Sequence, residues 1–162
     1  MTTTLFVGLM MGLGATVAMD IWAILLNRIA GLATPNWGAV GRWVWHLRHG
    51  RVFHDDIGKV APVRAECGIG WAFHYFVGAV YGVAFVLIVG TDWLSAPTLL
   101  PAWIFAILTI AAGWFLLHPG LGLGWGASKT PNPWKARGLG LVAHTVFGLG
   151  LWVVALGFGL GS

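Results

Sequence analysis

The fold is decided by an apolar stretch near the N-terminus, LFVGLMMGLGATVAMDIWAILL, at residues 5–26. It contains a single ionisable residue, Asp20, and its length matches the ~20 residues that a helix needs to cross ~30 Å of hydrocarbon. Three further apolar stretches follow at residues 67–89, 98–118 and 135–160. Asn132-Pro133 supplies a cap and a first helical residue for the last of them. The sequence therefore predicts an all-α fold, a bundle of four transmembrane helices that forms one membrane domain over residues 1–162.

The composition indicates that lipid is the main solvent. Hydrophobic residues make up 58% of the chain and charged residues 9%, whereas soluble domains carry about 25% charged residues. The nine Lys and Arg give a formal charge of +4 but never form a dense run. We therefore expect the lipid bilayer as a partner and no nucleic acid. Cys67 is the only cysteine, which excludes an intramolecular disulfide and a cysteine-based zinc motif.

The positive charges predict the orientation of the helices. All nine Lys and Arg lie in or beside the connections at residues 27–66 and 119–134, and the connection at residues 90–97 has none. Positively charged connections stay on the cytoplasmic side of a membrane. We expect a multi-pass protein of the bacterial inner membrane, with residues 27–66 and 119–134 in the cytoplasm and both termini in the periplasm.

The first of these connections is too long for a simple loop. Residues 35–49 divide into two sides at helical spacing, with Trp37, Val40, Val44 and Leu47 on one and Arg42, His46 and His49 on the other. This pattern predicts an amphipathic helix that lies on the inner leaflet. Such a helix either tethers and orients the bundle or recognises anionic lipid.

Small residues recur at every fourth position in three of the four predicted spans. These residues are Gly8, Gly12 and Thr16 in helix 1, Gly78 and Gly82 in helix 2, and Gly140 and Gly148 in helix 4. Lipid tails are as apolar as leucine, so helices in a bilayer associate where small side chains let their backbones approach. We expect these faces to pack against other helices.

An ionisable residue lies in register with each of these faces. Asp20 follows Thr16 by four residues, His74 precedes Gly78 by four, and His144 lies between Gly140 and Gly148. All three fall roughly 9–14 Å inside the cytoplasmic boundary at 1.5 Å per residue. A charge at this depth is costly and normally faces the interior of the bundle. The sequence predicts a polar cluster of Asp20, His74 and His144, whose expected neighbours are Tyr75, His118 and Thr145.

Such a cluster suits several chemistries. His74 and His144 on facing helices can bind haem axially, and together with Asp20 they can bind a divalent metal. An Asp–His chain can also relay protons, and a plain hydrogen bond between Asp and His can fix the packing of the helices. The sequence alone leaves these four alternatives open.

The connections contain a second constellation: His54, Asp55 and Asp56 are adjacent, and Glu66 and Cys67 lie at the entry to helix 2. The His-Asp-Asp stretch offers metal ligands or is a solvated turn. Separately, residues 120–126 read GLGLGWG. This glycine-rich stretch offers backbone groups to an anion or is an irregular helix end, and it lacks the fixed spacing of a phosphate loop.

The chain resembles a bacterial membrane-protein family, domain of unknown function 2938. The resemblance rests on short motifs along nearly the whole chain: Gly14-Ala15-Thr16, Met19-Asp20, Gly41-Arg42-Trp43, His54-Asp55, Gly70-Trp71, His74-Tyr75, Pro97 to Pro101, Lys129 to Pro133, Ala143-His144 and Phe147 to Gly150. It implies a four-helix protein of the inner membrane, and it brings no activity and no catalytic residue.

The simplest interpretation of the sequence is that the chain is a non-enzymatic membrane subunit. No serine, cysteine or pair of carboxylates has the arrangement of a hydrolase, so no catalytic residue is assigned. We expect an accessory subunit of a larger assembly, with other membrane proteins as partners. The alternatives are a haem- or metal-binding protein that uses His74 and His144, and a small oligomeric transporter or proton relay centred on Asp20.

Overall fold

The computed structural model describes residues 2–159, and within this range the secondary structure is helical with no strand. The helices are α1 (Thr2–Ala30), α2 (Trp37–Leu47), α3 (Glu66–Ser95), α4 (Leu99–Ala112), α5 (His118–Gly120) and α6 (Pro133–Gly159). A π-helical turn at Gly113–Leu117 joins α4 to α5, and 3-10 turns lie at Ile57–Lys59 and Trp125–Ala127. The all-α prediction is confirmed, except that the predicted end of the fourth span at residue 160 lies outside the described residues.

Four helical stretches are long and apolar enough to cross a membrane, judged by length and composition: Thr2–Ala30, Glu66–Ser95, Leu99–Gly120 and Pro133–Phe158. They correspond to the four predicted spans. α6 begins as predicted, because Pro133 is its first residue and Asn132 Oδ1 accepts a hydrogen bond from the amide of Lys135 at 3.0 Å. In α3, Gly90 is non-helical with φ 77° and ψ 176°, so the regular helix ends next to the predicted end at residue 89.

Contacts between residues divide the chain into two compact units, which are described separately. Among the described residues, the first unit comprises 2–34, 75–109 and 142–159, and the second comprises 35–74 and 110–141. In the first unit, α1 packs with parts of α3, α4 and α6 around an apolar core. Its members are Val7, Met11, Ala15, Phe85, Val86, Ala102, Ala106, Phe147, Leu151 and Ala155.

The helices of the first unit approach one another through glycine. A Cβ on Gly12 would overlap the carbonyl oxygen of Gly78, and a Cβ on Gly82 would overlap that of Gly8. On α6, a Cβ added to Gly148 would lie 2.9 Å from Cα of Trp103 on α4. The predicted small-residue faces of helices 1 and 2, and Gly148 of helix 4, are therefore confirmed as contact surfaces.

In the second unit, α2 packs directly on the first turns of α3. A Cβ on Gly41 would overlap the carbonyl oxygen of Glu66, and a Cβ on Gly70 would overlap that of Trp37. Asn36 caps α2 by accepting a hydrogen bond from the amide of Ala39 at 3.0 Å. The helix predicted at residues 35–49 is thus present as α2, and its position on the inner leaflet stays a prediction.

Candidate functional site

The first unit brings together two of the predicted site residues, Asp20 and Tyr75. The Tyr75 hydroxyl donates a hydrogen bond to Asp20 Oδ2 at 2.7 Å, between positions 55 residues apart in sequence. Both side chains are half-buried. A carboxylate inside an apolar span requires such a donor, since lipid supplies none. The structure thus joins Asp20 and Tyr75 by a hydrogen bond, and the predicted cluster as a whole stays a prediction.

His74 lies in the second unit, where its ring is packed against indoles. The imidazole stacks on Trp37 of α2 with 4.1 Å between ring centroids and 29° between planes, and it meets Trp71 edge-on at 5.9 Å. Trp37 and Trp71 also contact each other, at 5.2 Å. The face of His74 is thus part of the contact between α2 and α3, a role that sequence spacing did not indicate.

The remaining predicted site residues lie on α5 and α6. His144 is half-buried on α6, and neighbouring Thr145 accepts a hydrogen bond from Trp103 Nε1 at 3.2 Å. His118 begins α5 in the second unit, and its Nδ1 is buried without a hydrogen-bond partner within the described residues. None of Asp20, His74, Tyr75 and His144 is without a partner.

The structure bears on one of the chemistries predicted for Asp20, His74 and His144, namely metal binding. Across residues 2–159, no group of three or more His, Cys, Asp or Glu side chains is placed to hold a metal ion. The association of Asp20 with His74 and His144 stays a prediction, as do haem binding and proton relay. The Tyr75–Asp20 hydrogen bond suits both a structural contact and a relay, because its hydroxyl proton lies between two oxygens.

Arg42 is the most extensively bonded side chain of the second unit. Its Nε and Nη2 each donate to the Glu66 carboxylate at 2.8 Å. Nη1 donates to the carbonyl oxygens of Ile57 at 3.0 Å and Val60 at 2.7 Å. Arg42 is only 9% exposed, so it is buried among polar partners, which its predicted place on the polar side of α2 did not indicate. The residue is buried because one guanidinium satisfies a carboxylate and two carbonyls that would otherwise lack donors.

The ion pair keeps Arg42 charged. The hydrogen bonds with Glu66 raise the pKa of Arg42 above its ordinary value. The residue therefore holds α2, the 3-10 turn at Ile57–Lys59 and the start of α3 together as a permanently charged clamp.

Two histidines next to this clamp link α2 to Gly120, the last residue of α5. His54 Nδ1 is 2.9 Å from the carbonyl oxygen of Gly120, and His54 Nε2 is 2.9 Å from His46 Nδ1. A carbonyl only accepts, so His54 carries its proton on Nδ1 and accepts from His46 through Nε2. Burial, followed by the nearby His54 and Arg51, lowers the pKa of His46, which agrees with a neutral donor. Both nitrogens of His54 are therefore occupied, and His54 is neither a free metal ligand nor part of a solvated turn.

An aromatic groove lies on the second unit beside the π-helical turn and the first turns of α6. It encloses about 450 Å³ and is lined by Trp114, Phe115, Trp125, Gly126, Trp134, Arg137, Gly138 and Leu141. Trp134 is 79% exposed and Trp125 is 59% exposed. Arg137 lies over the Trp134 ring at 4.9 Å and donates to the Gly126 carbonyl oxygen at 2.8 Å. Arg137 thus connects two lining residues of the groove, Trp134 on α6 and Gly126 in the 3-10 turn.

A family model matches residues 9–157. The chain belongs to the family described as "Protein of unknown function (DUF2938)". No curated protein and no solved structure matches the chain. The DUF2938 match covers nearly the whole chain, including both units, and confirms the resemblance noted from the motifs.

The DUF2938 motifs contained residues whose partners the sequence did not indicate. Gly41-Arg42-Trp43 and His54-Asp55 were recognisable as motifs, but Glu66 and Gly120 were not identified as their partners. One signal was available, since Glu66 stands at the start of a helix, where a carboxylate is favoured, and Arg42 is the only Lys, Arg, Asp or Glu between Trp37 and Leu47.

Proposed function

We propose that this chain is a non-enzymatic protein of the bacterial inner membrane that serves as an accessory subunit of a larger membrane assembly. The observation that supports the proposal is the aromatic groove, whose lining includes the exposed glycine Gly138. A Cβ at Gly138 would meet nothing within 4 Å, and Gly138 is exposed. The groove therefore offers a place where the backbone of another helix can approach α6.

The composition of the groove favours a protein partner over lipid alone. Lipid tails cover any apolar face equally, whereas close helix contact in a membrane depends on small residues. Exposed tryptophans around one recess are also typical of protein interfaces, where aromatic side chains act as anchors. We infer that a transmembrane helix of another subunit packs along α6 at Gly138, between Trp134 and Leu141.

Gentle extraction followed by native mass spectrometry tests this proposal. The wild-type chain is expected to retain a second membrane protein in fixed stoichiometry. Gly138→Leu is expected to release that protein, because the new side chain fills the space that the partner's backbone needs.

Gly157→Leu is the matched control. Gly157 also lies on α6, is exposed, and has nothing within 4 Å of an added Cβ, but it does not line the groove. This variant is expected to retain the partner. A wild-type chain that is recovered alone, or equal retention by the two variants, would count against the accessory role.

A further inference from the structure

A polar cavity in the second unit joins the two segments that the sequence analysis treated separately. It encloses about 730 Å³ and is lined by residues of the connection after α2 and of the connection after α5: Arg51, Phe53, His54, Asp55, Asp56, Lys59, Val60, Pro119, Gly122, Gly124, Trp125 and Lys129. Its volume is in the range of sites for small organic ligands, roughly 300–1,000 Å³.

Backbone contacts fix the two sides of this cavity against each other. The amide of Ile57 donates to the carbonyl oxygen of Leu121 at 3.2 Å. Gly122 has φ +85°, and a Cβ there would overlap the carbonyl oxygen of Asp55. His54 adds its bond to Gly120 at 2.9 Å. The cavity is therefore a built feature of the fold, held by bonds between its two walls.

The cavity carries an excess of positive charge. Three cations, Arg51, Lys59 and Lys129, line it together with two carboxylates. Asp56 is already compensated, since Oδ1 accepts from the Gly58 amide at 2.8 Å and Oδ2 lies 3.6 Å from Lys59 Nζ. Arg51 and Lys129 make no ion pair within residues 2–159. Two cations are thus available to an anion that enters the cavity.

The remaining lining residues define what else the anion must carry. Phe53 is 56% exposed and Trp125 is 59% exposed, so both present ring surface that an apolar or planar part of a ligand would cover. Asp55 is exposed and accepts hydrogen bonds from hydroxyl or ammonium groups. The lysine and the arginine suit a phosphate group, and the aromatic rings and the carboxylate suit an organic part attached to it. The lining therefore matches a phosphate ester better than a simple inorganic ion.

We propose that this cavity binds an organic phosphate, with Arg51 and Lys129 on the phosphate, Phe53 and Trp125 on the organic part, and Asp55 on a hydroxyl or ammonium group. The phosphate comes either from the headgroup of a phospholipid or from a soluble phosphate ester. The proposal does not depend on the accessory role, because Arg51, Lys129, Phe53 and Asp55 do not line the aromatic groove; Trp125 lines both recesses.

The test uses the delipidated full-length chain in detergent, with two probes. One is glycerol 3-phosphate, and the other is a short-chain phosphatidylglycerol below its critical micelle concentration. Binding is measured by native mass spectrometry and by the shift in the midpoint of thermal unfolding. At least one probe is expected to bind the wild type, more weakly at high salt because the interaction is charged. Binding of the lipid alone identifies a headgroup site, and binding of glycerol 3-phosphate alone identifies a soluble ligand.

The decisive comparison is between two charge-matched double variants. Arg51→Gln/Lys129→Gln removes the two cations from the cavity and is expected to weaken binding at least about tenfold. Arg64→Gln/Lys135→Gln removes two exposed cations outside it and is expected to bind like the wild type. Lys129→Gln alone gives an intermediate loss and serves if the first double variant fails to fold. The proposal is overturned if neither probe binds the wild type, or if the cavity variants bind as tightly as the control.

Discussion

Replacing Arg42 with methionine is expected to lower the free energy of unfolding by about 3–5 kcal/mol. The change would leave the Glu66 carboxylate, whose side chain is 21% exposed, without the guanidinium that it faces at 2.8 Å. It would also leave the carbonyl oxygens of Ile57 and Val60 without their donor. Buried acceptors that lose their partner cost far more than the average hydrogen bond contributes.

The measurement is denaturant unfolding in a mild detergent, together with limited proteolysis of residues 48–65. Arg64→Met is the control, because Arg64 is an exposed arginine two residues from Glu66, and it is expected to change stability by less than about 0.5 kcal/mol.

Two further variants separate the effect of the Arg42 charge from the effect of the planar shape of its guanidinium. Arg42→Lys keeps the charge but loses the planar fork, and it is expected to recover little of the loss. Arg42→Met/Glu66→Met removes both charges and is expected to be more stable than Arg42→Met alone, because no unpaired carboxylate remains. If Arg42→Met unfolds like Arg64→Met, the clamp does not hold the second unit together.

Gly12→Leu is expected to have the second large effect, a loss of more than about 3 kcal/mol or failure to recover folded protein. A single Cβ on Gly12 already overlaps the backbone of Gly78, and backbone atoms within two helices cannot move aside as a flexible side chain can. Gly12→Ala is expected to be destabilising by a smaller amount. The readout is the yield of monodisperse protein and its midpoint of thermal unfolding in detergent.

Gly68→Leu is the matched control on α3. A Cβ at Gly68 would meet nothing within 4 Å, and Gly68 is exposed, so the same side chain is expected to be tolerated there. Equal stability of Gly12→Leu and Gly68→Leu would show that α1 and α3 do not pack through glycine.

Much of the first unit could be predicted because its determinants are local and periodic. The series Gly8, Gly12 and Thr16 identified the contact face of α1, since residues four apart lie on one side of a helix. The predicted positions of the helix ends were less accurate. Hydropathy located residues 5–26, but α1 spans Thr2–Ala30, because the helical hydrogen bonds continue into the residues on both sides of the apolar stretch.

The second unit could not be predicted in the same way, because its contacts join distant and irregular segments. Arg42 was assigned to a polar helix side, and its burial depends on Glu66, 24 residues away. His54 depends on a carbonyl 66 residues away. Neither distance has a periodic signature. The clamp therefore forms only when the first connection folds back on α2, and the cavity only when the two connections are folded together.

The sidedness of two engineered cysteines decides whether the charged connections lie in the cytoplasm. We propose that these connections, with α2 and the cavity, lie on that side of the membrane. In a Cys67→Ser background, Ser128→Cys lies in the connection after α5 and Ser95→Cys at the end of α3, and both serines are exposed. A membrane-impermeant maleimide is expected to label Ser128→Cys only in inverted vesicles and Ser95→Cys only in right-side-out vesicles. Labelling of both positions from the same side, or the reverse pattern, would contradict the cytoplasmic placement of the charged connections.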